Sequence, residues 1–207
     1  IGVSINNRWK PLWSAGAAWE LSQEKFYKLA WLPYLKLKAT YGHSGNLDLS
    51  KTALPVAYFA NDPTSNLPSG IISTLNNPSL RWEQVAQLNI GIEFRSVNNR
   101  LSGSIEHYRK IGSDLYGKTP YDYTTWGLTD AITRNVAAMA GNGIDMMVTS
   151  QNITGRFNWS TTLLFNFNSS KTTAYFDPGS QTMANMLGSG RTITPIVGKP
   201  MYALAAY

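Results

Sequence analysis

The sequence predicts an all-β chain, an antiparallel up-and-down segment of a transmembrane β-barrel with about six to seven strands, long loops at one end and short turns at the other. Three observations predict it. Apolar residues recur with a period of two in six successive runs, and a 3.6-residue period is almost absent. The links between those runs alternate between long and short. The polar positions are filled by Ser, Thr, Asn and Gly, so that charged residues make up only 14% of the 207 residues, where soluble domains carry roughly 25%. No stretch approaches the ~18 apolar residues of a membrane-spanning helix, a test that barrel strands do not have to meet.

The first run is Leu12 to Glu20, with Trp13, Ala15, Ala17 and Trp19 on one face and Ser14, Gly16 and Glu20 on the other. In the second, Tyr34 to Gly42, Leu35, Leu37, Ala39 and Tyr41 oppose Lys36, Lys38 and Thr40. The third, Arg81 to Arg95, is the clearest: Ala86, Leu88, Ile90, Ile92 and Phe94 against Gln87, Asn89, Gly91, Glu93 and Arg95. The fourth is Leu101 to Ile111, the fifth Gly143 to Gln151, and the sixth Arg156 to Ser169, where Phe157, Trp159, Leu163, Phe165 and Phe167 share a face. A seventh run begins near Met201. Between the first two runs, Ser22 followed by Gln23 and Glu24 predicts an N-capped short helix.

The links at 43–80, 112–142 and 170–200 are long and rich in Pro, Gly, Ser and Asn, and they alternate with short links at 96–100 and 152–155. Compact domains seldom contain loops beyond ~12–15 residues. In an up-and-down sheet alternate links fall on opposite ends, which yields the loop asymmetry of outer-membrane barrels. Trp19, Phe94, Phe157 and Trp159 fall at the short-turn ends of their runs, and Trp13, Tyr41, Trp82 and Phe167 at the long-loop ends, the places of two interfacial girdles. The competing fold is a soluble β-sandwich, whose core face carries the same alternation. Loop asymmetry, uncharged polar faces and runs near the ~9–11 residues that cross a tilted bilayer favour the barrel. Six strands and part of a seventh cannot close one, so the open edges require further strands.

Several chemistries are excluded or disfavoured. There is no Cys, hence no disulfide, zinc thiolate or Cys nucleophile. The net charge of +6 is mild and scattered, with no stripe for nucleic acid. His43 and His107 have no second His at ligand spacing, so no metal or other cofactor is expected. Gly188-Ser189-Gly190-Arg191 lacks the Lys-Ser/Thr ending of a P-loop, and Gly42-His43-Ser44-Gly45 misses the nucleophile-elbow spacing. Glu83, Glu93, Glu106 and Asp145 are spread over three strands and fit a solvated lumen better than a glycosidase pair. Lys36, Lys38, Arg95 and Arg156 fit the same lumen. No enzymatic activity is expected.

The chain starts at Ile1 and stops inside the apolar run 201–207, which reads as an internal piece of a longer protein. The stretch Arg8-Trp9-Lys10-Pro11-Leu12-Trp13-Ser14-Ala15-Gly16-Ala17-Ala18-Trp19 resembles a strand of the SusC/RagA-type TonB-dependent receptors, and Trp31-Leu32-Pro33-Tyr34-Leu35-Lys36-Leu37-Lys38 through Tyr41-Gly42-His43-Ser44-Gly45-Asn46 resembles the segment that follows it. Three more blocks agree in order: Leu80-Arg81-Trp82-Glu83 to Gly91, Asn135 to Asp145, and Val197-Gly198-Lys199-Pro200-Met201-Tyr202. The resemblance covers nearly all of 1–207 and implies a partial receptor barrel, from its later part, with no plug domain present. It also implies an outer-membrane location in Bacteroidetes-type bacteria and a SusD-like surface lipoprotein as lid. Energy would come from TonB through the missing plug, and the cargo would be a glycan or a peptide. A soluble carbohydrate-binding sandwich or adhesin module remains the alternative function, and a β-sheet glycosidase a third.

On that reading the outer loops hold the candidate contacts. Tyr116, Tyr121, Tyr123 and Trp126 cluster after the fourth run, and Tyr58 lies after the second. Such rings stack on sugars, contact peptide side chains or meet the lid protein. The competing role is packing within the loops, which need small cores of their own.

Overall fold

The computed structural model describes residues 2–120, 124, 131–175 and 195–201. Eight strands are formed among them: β1 (Trp13–Glu20), β2 (Tyr34–Asn46), β3 (Val56–Asn61), β4 (Pro68–Thr74), β5 (Glu83–Arg95), β6 (Leu101–Pro120), β7 (Ala131–Ile153) and β8 (Trp159–Tyr175). Six of them build one antiparallel sheet in the order β1-β2-β5-β6-β7-β8, and β3 and β4 form a separate two-stranded ribbon. All six predicted runs are therefore strands, paired with their neighbours in sequence order. The helix expected from Ser22 is only a 3₁₀ turn at Leu21–Gln23, with Glu20 in the cap position and no side-chain cap.

The strands run farther than the alternation does. β2 continues to Asn46, so His43 lies within a strand rather than at a loop start. The predicted loop 43–80 contains the β3–β4 ribbon. The predicted loop 112–142 is mostly strand as well: β6 and β7 pair on to Pro120 and Ala131, past register shifts between Gly112 and Tyr116. Asp114 takes a left-handed backbone (φ 57) there. The shift breaks the period-two signal that would have marked the extension. Near the described end, Val197 makes an isolated parallel bridge to Thr172.

Register fixes the two faces. In one cross-strand row Trp19 is level with Leu37, Ile92, Ile105, Met146 and Phe165. The row through Trp13 passes His43, Ala86, Ile111, Ala140 and Lys171. The apolar set thus shares one face, as predicted for Ala86, Leu88, Ile90 and Ile92. It is also the more exposed face: on β6, Ile105, His107 and Arg109 are exposed while Glu106 and Tyr108 between them are half-buried. The sheet therefore curls with its polar face inward. Crowding on that concave side explains Gly143, where a Cβ would stand 2.5 Å from the Tyr108 ring.

The aromatic belts cross the rows at a slant. On β1 the belt rings are Trp13 and Trp19, and on β8 they are Phe167 and Trp159. Lys171 is level with Trp13, so the long-loop belt has moved from 171 to 167 along β8; Phe165 is level with Trp19, so the other belt has moved from 165 to 159. Over five strand-to-strand steps the apolar band slides about one residue per strand. A rise of ~3.4 Å against a strand spacing of ~4.8 Å makes this a tilt of about 35°, at the edge of the ~35–45° of outer-membrane barrels. The same tilt puts the belts about 17–22 Å apart, near the ~25 Å apolar band of such barrels.

Candidate functional site

Two polar regions are built on this frame. The first lies on the concave face, where Lys38 of β2 reaches across β5 to Glu93 (2.8 Å) and on to Glu106 of β6 (2.5 Å). Gly91 makes the crossing possible, since a Cβ there would stand 2.9 Å from Lys38 Cε and 3.1 Å from Glu106 Cγ. Asn166 donates to Asp145 on the same face, and Arg95 lies over the Tyr34 ring at 5.3 Å. Charges on the concave face thus pair among themselves, Lys38 with two of the carboxylates singled out from the sequence. Arg156 instead lies in the turn between β7 and β8.

The second region is a platform at the long-loop end. Val3, Ala53 and Leu80 form a small buried cluster, with Leu47, Trp82 and Tyr116 packed against it. Backbone bonds tie the pieces together: Ala53 N–H donates to Gly2 O (2.6 Å) and Asn77 N–H to Ala53 O (3.0 Å). Asn7 donates its side-chain amide to the carbonyls of Pro78 and Leu80, and Asn77 donates to Thr133 O. Trp82, expected in the belt, belongs here and donates its indole N–H to Arg8 O (3.2 Å).

At the margin of this cluster Arg81 pairs with Asp114 (2.6 Å), whose other oxygen accepts from Gln84 Nε2 (3.0 Å). The Arg81 guanidinium holds the Asp114 carboxyl below the usual carboxylate range. Asn135 donates to Arg81 O and Asp114 O, while its own side-chain oxygen accepts from Arg81 N–H. The left-handed turn at Asp114 is therefore braced from β5, from β7 and from the segment just before β5.

Of the five candidate contact residues, Tyr116 is in the strand extension of β6, not in a loop. Its N–H donates to Glu83 Oε1 (2.8 Å) and its hydroxyl to Arg81 O (3.0 Å). Burial, then the Glu83 carboxylate, pushes its phenol up. Tyr58 is on β3 and half its surface is exposed; beside it Phe59 is 89% exposed. Phe59 pairs with Gly70, whose missing side chain leaves the ring without a cross-strand neighbour on top of it. The sequence marks Tyr58 as a loop ring but carries no signal for the ribbon that presents it together with Phe59. Tyr121, Tyr123 and Trp126 lie outside the described residues. Among the described residues no three His, Asp or Glu side chains converge as metal ligands.

A slanted apolar belt on a convex face, a polar concave face and a platform at one end define the wall of an outer-membrane-type β-barrel. No family model matches the chain. Curated proteins do: it is 28% identical over 200 residues to TonB-dependent receptor P39 of Formosa agariphila, covering 93% of this chain and 19% of that protein. It is 27% identical over 166 residues to TonB-dependent receptor SusC of Bacteroides thetaiotaomicron, covering 75% of this chain and 16% of that protein. Among solved structures, the RagAB peptide importer in its open-open state superposes with a TM-score of 0.74 at 27% identity, over 84% of this chain and 19% of that one. Its closed-closed state gives a TM-score of 0.73. Sequence and fold together make the chain a homologue of the SusC/RagA-type TonB-dependent receptors. It spans about a fifth or less of the length of the curated relatives it matches.

Proposed function

We propose that the chain forms barrel wall and outer-loop platform of a TonB-dependent outer-membrane importer, one that takes up glycans or peptides beneath a SusD-like lipoprotein and performs no catalysis. The slanted apolar band carries this reading. A soluble sandwich would cover its apolar face with a second sheet. Here the convex face of the six-stranded sheet is exposed, and the other described sheet is only the β3–β4 ribbon. The relatives add the class of process: one is named for SusC and the solved neighbours for a peptide importer.

In this reading the Lys38–Glu93–Glu106 group is lumen wall, and the platform holds the β3–β4 ribbon over the mouth. Exposed Tyr58 and Phe59 give that ribbon apolar area and ring faces, which suit sugars, peptide side chains and a protein lid alike. The test is Tyr58→Ala with Phe59→Ala in the full-length receptor, comparing nutrient uptake and capture of the co-encoded lipoprotein with the heat-modified barrel band. Uptake or capture falls while the barrel band persists. Unchanged uptake together with unchanged capture refutes a contact role for the ribbon.

A further inference from the structure

The convex face segregates charge. Among the paired stretches below the Gly112 register shift, Glu20, Glu93, Glu106 and Asp145 all fall in concave rows with Lys36, Lys38 and Lys110. On the convex side of those stretches there is no carboxylate, and the only Lys or Arg side chains are Arg109 and Lys171. Both are exposed, and neither has a carboxylate partner among the described residues. They share one corner of the sheet. Arg109 is level with Asn142 and Ser169, and Lys171 lies two residues beyond Ser169 toward the long-loop end.

The slant of the band decides their depth. Interpolated between Trp13 and Phe167, the long-loop belt crosses β6 at the level of Arg109. On β8 it crosses at Phe167, so Lys171 stands four residues beyond it, about 11 Å along the membrane normal at the ~35° tilt. Arg109 is thus at the apolar–polar boundary and Lys171 in the headgroup layer above it, with Asn142 and Ser169 between them. Their backbones are about 12 Å apart from strand spacing and rise. Among the described residues, no carboxylate pairs with an outward cation at this height. Guanidinium and ammonium groups at a membrane boundary recognise phosphate.

We propose that Arg109 and Lys171, with Asn142 and Ser169 between them, form a binding site on the lipid-facing wall for the phosphate groups of an anionic glycolipid in the outer leaflet. Arg109 takes a phosphate at the acyl boundary, Lys171 binds an anionic group higher in the same headgroup, and the two polar side chains between them bind sugar hydroxyls. The site rests on the barrel reading above and adds a ligand on the side of the wall that faces away from the transported cargo.

The test uses the full-length receptor in detergent, delipidated and then offered lipid A with both phosphates, the same lipid with its phosphates removed, or inorganic phosphate as competitor. Bound lipid per receptor is measured by native mass spectrometry. The phosphorylated lipid is retained at least threefold better than the dephosphorylated one, and Arg109→Gln with Lys171→Gln abolishes the preference. Lys110→Gln, one residue away and facing the lumen, leaves it intact. Equal retention of the two lipids by the unsubstituted receptor overturns the proposal whether or not the variants fold, and so does a preference that survives the double substitution. Competition by inorganic phosphate at millimolar levels would reassign the site to a free anion. Receptor missing from the outer-membrane fraction would instead overturn the barrel reading itself.

Discussion

Replacing Ile90 with Arg tests the slant of the apolar band most directly. Midway between the two belts, a line crosses β1 between Ala15 and Ala17, then Ala39 on β2, the space between Ile90 and Ile92 on β5, Ile105 on β6 and Leu163 on β8. Ile90 is one residue from this line, so about 3 Å from the midplane. Arg on the lipid face at the midplane costs about 2–4 kcal/mol, a factor of roughly 30 to 1000 in the folding equilibrium. Asn89→Arg, one residue away, faces the lumen. It loses the exposed bond from Asn89 Nδ2 to Thr40 Oγ1 (3.1 Å) and the half-buried one accepted from Gln87 (2.9 Å), for a cost of about 1 kcal/mol. Unfolding of the full-length receptor from bilayers in denaturant, beside the heat-modified band from cells, measures both. Arg should cost most at Ile90 and Ile92, less at Leu88 and Phe94, and on β8 the maximum should move to Leu163. Equal costs for Ile90→Arg and Asn89→Arg, or a maximum on β8 at Phe167, would refute the faces or the slant respectively.

Three other outcomes follow from the polar regions. Gly91→Val should displace the Lys38 stem and cost about 1–2 kcal/mol, two part-exposed ion pairs plus crowding; adding Lys38→Ala should relieve part of it, so additive costs in a double-mutant cycle would count against the crossing. The Asp114 carboxyl is lower in the folded state than unfolded, so its stabilisation is full above the ordinary carboxylate range and is lost as pH falls through the lowered folded value. Protease cleavage of the platform should rise steeply at the acid end in the parent and much less in Asp114→Asn, and identical profiles would dismiss the Arg81–Asp114 brace. Leu80, 2% exposed, should cost about 2–3 kcal/mol when cut to Ala; the loss should appear as proteolysis between 47 and 82 with the barrel band intact, whereas loss of that band would show the platform and wall to fold as one unit.

On the barrel reading, the wall was legible in the sequence because lipid reads only one property of a strand. A polar side chain facing hydrocarbon finds no hydrogen-bond partner there, so alternate positions are mostly apolar, and on β5 Leu88, Ile90, Ile92 and Phe94 alternate without a break. Above the belts that pressure ends. Ser113, Asp114, Gly117 and Lys118 look like loop, yet past the left-handed break at Asp114 the chain pairs with β7 again from Leu115 to Pro120. Trp82 shows the same ambiguity from the other side: an aromatic at a strand end suits an interface belt, yet its partner is Arg8 O, 74 residues distant. Such contacts between remote segments carry no local period. Tyr116 was found by its residue type, but its tie to Arg81 and Glu83 depends on a register shift that no spacing announces.

The excursion between β2 and β5 leaves and rejoins the sheet at one point. Asn46 and Glu83 are direct ladder partners, and the Asn46 amide also donates to Glu83 Oε2 (2.9 Å). The closure of that long segment is therefore fixed by the wall, whatever lies within it. Doubling such a segment adds only about 0.6 kcal/mol of closure entropy, and no strand of the wall has to change register to accommodate it. Residues 47–82 can accordingly diverge, lengthen or be exchanged between homologues while the lipid-facing pattern stays constant, so that a single wall design can be fitted with many different mouths.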